Sequence, residues 1–149
     1  MDGKQKRATV RQFLEAQSTL VLSTVNDQGM PHSTPLFYVQ GEELALYWLS
    51  MGSSVHTRNI LRGHAISVSV HRSTFAWREI AGVQMRGAAA IAETHERDAM
   101  LPRYRSRFQL GRTFTAAIAA SSFFVFRPTW VRYLDNSKRF NYKFELCID

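Results

Sequence analysis

Two hydrophobic periods alternate along the chain. Over residues 6–17, KRATVRQFLEAQ, the apolar residues Val10, Phe13 and Leu14 fall at helical spacing and predict an amphipathic helix. The period then drops to two. TLVLSTV (19–25) is β-branched and apolar, NDQG (26–29) is turn chemistry, and HSTPLFYV (32–39) resumes an extended pattern. LALYWL (44–49) is apolar at successive positions, as a strand covered on both faces must be. These three segments predict an antiparallel meander. A short helical pattern over 53–62 ends at Gly63, and in AISVSVH (65–71) Ile66, Val68 and Val70 alternate with polar residues. The long alternating stretch IAGVQMRGAAAIA (80–92) carries Gly82 and Gly87, expected at bulges or close approaches of backbone. A second helix is predicted over 93–108, and FFVFRPTWVRYL and FNYKFELCI supply two or three more strands. The sum is an α+β domain spanning residues 1–149, with six to seven mostly antiparallel strands in a small barrel and about three helices.

Pro35 modifies that picture. It has no amide hydrogen, so its strand belongs at an edge, at a bulge, or against a ligand in place of a ladder partner. Composition adds bounds. At 45% hydrophobic and 12% aromatic, the chain can bury a sizeable core, with Trp48, Trp77 and Trp130 expected in it. The lone cysteine, Cys147, forms no internal disulfide and no multi-cysteine metal site. No signal-peptide pattern and no apolar run near the roughly 20 residues of a membrane span is present, so a soluble cytoplasmic protein is expected.

The formal charge of +7 favours anionic partners. Nucleic acid is one class, but the densest basic cluster, Arg97, Arg103, Arg105, Arg107 and Arg112, reads better as a solvated helix face. A phosphorylated small molecule is the other. In LSMGSSVHTRNILRG (49–63), hydroxyls, an imidazole and a guanidinium gather where a helix starts. A helix start presents unpaired amides and partial positive charge, which suit a phosphate. Ser54, His56 and Arg58 are the candidates, with His56 able to act as an imidazolium. The same residues also suit a plain serine N-cap beside a surface histidine. The five histidines lack metal-site spacing, and no Gly-x-Ser-x-Gly elbow, P-loop or Gly-x-Gly-x-x-Gly occurs.

Taken in order, LSTVNDQGMPHSTPLFYV, LYWLSMGSSVHTRNILRGHAISVSV, IAGVQMRG, YRSRFQLGR and YLDNSKRFNYKFEL resemble the FMN-binding split-barrel proteins related to pyridoxamine 5′-phosphate oxidase, in their YhbP-like branch. The resemblance runs from about residue 10 to 148. It implies a homodimer with FMN held between the protomers. It further implies that the strand Thr34, Pro35, Leu36, Phe37, Tyr38, Val39 lies along the flavin, largely through its backbone, joined by Leu49 and Ser50. Ser54, Val55 and His56 match the phosphate-binding helix start, although the oxidases carry an Arg-Lys pair where this chain has Val55 and His56. Gln84 is the candidate for the flavin-contacting glutamine, displaced in register but on the same strand face as Gly82. The oxidases' strand lysine and C-terminal Arg-x-His motif have no counterpart; Asp135, Asn136 and Lys143 are the polar residues of that region. The expected activity is that of an FMN-dependent oxidoreductase with no catalytic acid, base or nucleophile. A haem- or deazaflavin-binding barrel, a non-enzymatic stress-response protein and a basic nucleic-acid-binding protein are the alternatives.

Overall fold

The computed structural model describes residues 1–149. Helix α1 (Gly3–Glu15) begins with a reciprocal cap in which Asp2 and Gln5 each accept from the other's backbone amide, and it buries Val10, Phe13 and Leu14, the face the spacing predicts. Strands β1 (Thr19–Val25), β2 (Pro31–Phe37), β3 (Val39–Gln40) and β4 (Leu46–Met51) follow, then α2 (Val55–Leu61), β5 (Ile66–His71) and β6 (Ala81–Ile91). Helices α3 (Thr94–Arg107) and α4 (Thr115–Ala119) precede β7 (Ser121–Asp135) and β8 (Lys143–Cys147).

All strand pairs are antiparallel, in the order β2-β1-β5-β6-β7-β4-β3, with β8 also against β7. Consecutive strands β2 and β3 therefore lie at opposite ends of the sheet, separated only by Tyr38. Residues 31–40 are one bent strand that draws the two ends together into a barrel. Tyr38 at the bend is fully buried, and its hydroxyl donates to the Leu14 carbonyl at 2.6 Å. On one side of the bend β3 pairs with Tyr47 and Leu46; on the other β2 leaves with β1, so the rest of β4 has only β7 beside it. The wall is split between β2 and the later half of β4.

Three expectations are corrected. The meander holds for β1 and β2 but not for β4, which pairs with β7 and β3: the bend at Tyr38 carries the chain across the barrel. The Ala-rich segment TFTAAIAA, whose short run has no polar face to mark a period, forms the additional helix α4. Trp77 is not core: it is 53% exposed, whereas Trp48 is fully buried and stacks on Phe124. The glycine expectations hold. The β6–β7 register shifts between Arg86 and Gly87, and a Cβ on Gly87 would meet the Arg127 carbonyl at 2.1 Å.

Phe124 and Phe126 of β7 fill the barrel with Leu20 and Leu22 of β1 and Met85 of β6, while Phe123, on the other face of β7, packs against Tyr47 of β4 and Tyr104 of α3. Each such side chain contributes on the order of 1.5–3 kcal/mol by leaving water. Helix α1 buries its apolar face in this same core, while α2 packs against β1, β2 and β6.

Candidate functional site

The start of α2 lies beside the split. Its N-cap is Ser54, yet the Ser54 side chain accepts no hydrogen bond from the helix amides, unlike the Asp2 cap of α1. Ser54 Oγ instead lies 2.7 Å from both the Met51 carbonyl and Thr57 Oγ1. The first-turn amides are left without a side-chain acceptor, which is the local condition for receiving an anion.

His56 is where the sequence expectation changes most. It is buried, with Nε2 2.7 Å from Ser50 Oγ and 3.3 Å from Ser54 Oγ. Burial, reinforced by the charge of nearby His32, pushes its pKa below the ordinary histidine value. With no anion beside it the ring thus favours the neutral form, its Nε2 within reach of two serine hydroxyls. Arg58 is exposed on α2 and enters no ion pair. Thr57 and Asn59 are buried, and Asn59 Nδ2 donates to Thr24 Oγ1 at 3.0 Å, fixing α2 to β1.

The strand Thr34–Val39 divides at the bend. Thr34 and Leu36 lie opposite Leu22 and Leu20 and are half-buried, and Pro35 lies opposite Val21 with its ring exposed. Because β2 ends the sheet, Pro35 stands on an edge strand, as its missing amide requires. Phe37 is 48% exposed and stacks on Phe108 beyond the end of α3, ring centroids 4.2 Å apart. Tyr38 and Val39 are core residues, so only their main chain is available to a ligand. Leu49 and Ser50 stand on β4, with Ser50 tied to His56; Val55 is exposed at the first turn of α2. Ser50, Ser54 and His56 are thereby brought together beside one edge of the split, with β2 forming the other.

Gln84 is not in that cluster. Register links Pro35 to Val21, Val21 to Ser69, Ser69 to Gln84 and Gln84 to Arg132, a row on the outer face of the sheet. Three strand spacings of about 4.8 Å set Gln84 roughly 14 Å from Pro35. Asp135 and Asn136 form the turn after β7. Asp135 accepts from Tyr133 Oη and from the Ser137 hydroxyl and amide; burial opposes its charge, but these bonds outweigh it and hold its carboxyl below the ordinary value. Asn136 donates to the Trp77 carbonyl and accepts from the Asn141 amide, and Lys143 is exposed on β8. This turn packs on the loop after β5, whereas α2 precedes β5, so these three residues stand away from the split.

Two residues near the split carry no sequence signal of their own: His32, whose charge is felt at His56, and Phe108, on which Phe37 stacks. His32 shares its strand face with Thr34 and Leu36, so strand alternation combined with the pairing of β2 with β1 would have located it.

A curled antiparallel sheet, sealed at one end of its closing strand and open at the other, defines a split-barrel protein. A family model described as pyridoxamine 5′-phosphate oxidase matches residues 7–135, and the chain belongs to that family. No curated protein sequence matches it significantly. Among solved structures it is similar to a Clostridium acetobutylicum protein related to general stress protein 26 of B. subtilis, of the pyridoxinephosphate oxidase family. That match has 14% identity and a TM-score of 0.71 over 100% of this chain and 98% of the other. It is also similar to a FAD-binding protein from Mesorhizobium loti, at 18% identity and a TM-score of 0.67 over 83% and 88% of the two chains. A haem-binding protein from Mycobacterium smegmatis matches at 17% identity and a TM-score of 0.71; 88% of this chain is covered but only 53% of that one.

Proposed function

We propose that the split holds FMN at the interface of a homodimer and that the protein is a flavin-dependent oxidoreductase. The observation that carries this reading is the uncapped start of α2, with its amides free of side-chain partners beside the open edge of β2. The residues present fit the cofactor in neutral donors. The amides of Val55, His56 and Thr57 and the hydroxyl of Ser54 would hold the phosphate, with Ser50 oriented by His56. They do so without the fixed cation pair of the oxidases, so affinity rests on hydrogen bonds. The main chain of Thr34–Phe37 would run along the ring system, with Phe37 and Leu49 as its apolar neighbours. Gln84, on the outer sheet face, is assigned to the partner subunit's flavin. When bound, FMN supplies hydride and electron transfer, and the chain supplies orientation and exclusion of water.

Sedimentation of the apo-protein titrated with FMN, followed by flavin absorbance and fluorescence, tests the assignment. A dimer carrying one FMN per chain is expected. No spectral change at high micromolar FMN in low-phosphate buffer would overturn it. Haem in the same split is the second reading, favoured by the presence of two histidines near it, His56 on α2 and His32 on β2. Saturable uptake of hemin with a shifted Soret band, and no response to FMN, would select it.

A further inference from the structure

A cleft of about 1020 Å³ lies between α1 and α3, away from the split. Its walls are Ala8 and Arg11 of α1 and Ala99, Met100 and Arg103 of α3, with Tyr47 lining it from β4. Most of its charges are already satisfied. Glu96 binds Arg127 and accepts from Tyr47 Oη, and Glu15 is paired with Arg107. Glu42, which also lines the cleft, is exposed and unpaired, and among the cations Arg11 and Arg103 are the exceptions. Both are exposed and neither enters an ion pair; Arg103 reaches only the Met100 sulfur, at 3.7 Å. Two guanidiniums on opposite walls above a largely apolar lining suit an anion with an apolar body.

A second observation comes from Gln40, which also lines the cleft. It is only 4% exposed. Its Nε2 donates to the Arg11 carbonyl at 3.1 Å and lies 3.4 Å from Glu15 Oε2, which fixes the amide's orientation. Its Oε1 is then a buried acceptor with no partner. Such an atom is costly to leave unmatched, and an N–H or O–H donor is what would satisfy it. The turn that follows is strained as well: Glu43 and Leu44 both adopt positive φ, 49° and 61°.

We propose that this cleft binds a small organic anion, a carboxylate or phosphate between Arg11 and Arg103, whose apolar body presents a hydrogen-bond donor to Gln40. The site is separate from the flavin split. Calorimetric titration with indole-3-acetate and with adenosine 5′-monophosphate probes the carboxylate and phosphate forms. 1-Naphthaleneacetate, which has a similar body without the N–H, and inorganic phosphate serve as the comparisons. At least one donor-bearing probe should bind saturably. The carboxylate probe, if it is the one bound, should exceed its donor-less counterpart by about tenfold or more, because a site built to accept a donor rejects the analogue lacking it. The double variant Arg11→Gln/Arg103→Gln should weaken binding by about tenfold or more. Its far-UV dichroism should be unchanged, since both side chains are on the surface, and Ser54→Ala should bind as the parent does. No saturation by either probe, equal affinity for the two carboxylates where they bind, binding of inorganic phosphate alone, or undiminished binding by the double variant would each overturn the proposal.

Discussion

His56 shows how one side chain can be identified correctly and still act differently from its residue type. Its position at the start of α2 invites an acid form, but the fold buries it against Ser50 and Ser54 and favours the neutral ring. The consequence for stability has a definite sign. The unfolded chain protonates histidine near the ordinary value of about 6.5 and the folded chain only at lower pH, so the unfolded state binds more protons in between. Stability from this residue is complete above that ordinary value and is lost as pH falls toward the folded value. Urea midpoints of the parent and His56→Gln, measured from neutral to mildly acidic pH, check this. The parent should lose stability on acidification more steeply than the variant, and parallel curves would contradict the buried neutral histidine. Ser50, Ser54 and His56 were legible because they lie within one short stretch. His32 was not, because it nears α2 only through the pairing of β2 with β1, opposite the Thr24 that Asn59 binds.

Among the elements, local pattern and distant pairing part company. The β-branched run at 19–25 and the strand of the structure coincide as Thr19–Val25, since alternation and turn residues are written locally. The partner of β4 is not local: β7 lies far downstream, and nothing in LALYWL distinguishes it from a neighbour of β2. Gly87 lies between these cases. Its place in an alternating run marks a bulge or close approach, and the structure supplies the reason: β7 inserts Thr129 opposite the Arg86–Gly87 step, bringing the Arg127 carbonyl against the glycine. Gly87→Ala should therefore destabilise by about 1–3 kcal/mol through forced backbone displacement. Gly52→Ala, where nothing lies within 4 Å, should change stability far less. Thermal or urea unfolding of the two variants is the measurement, and equal effects would contradict the close approach.

For the whole molecule, the bent strand 31–40 sets how the barrel comes apart. Because β2 closes one end of the sheet order and β3 the other, neither edge can fray by itself without straining the segment they share. Hydrogen exchange is expected to find one opening unit containing both the β1–β2 and the β3–β4 ladders, with a common free energy of opening. Tyr38→Ala, which removes the buried side chain at the bend and its bond to Leu14, should speed exchange in both ladders together. Independent rates would contradict this. The same clasp that leaves the wall of the barrel open beside α2 thus makes its two margins mechanically one: whatever loosens the sheet at Gln40 is felt at Thr34, and a ligand gripping β2 would tighten β3 as well.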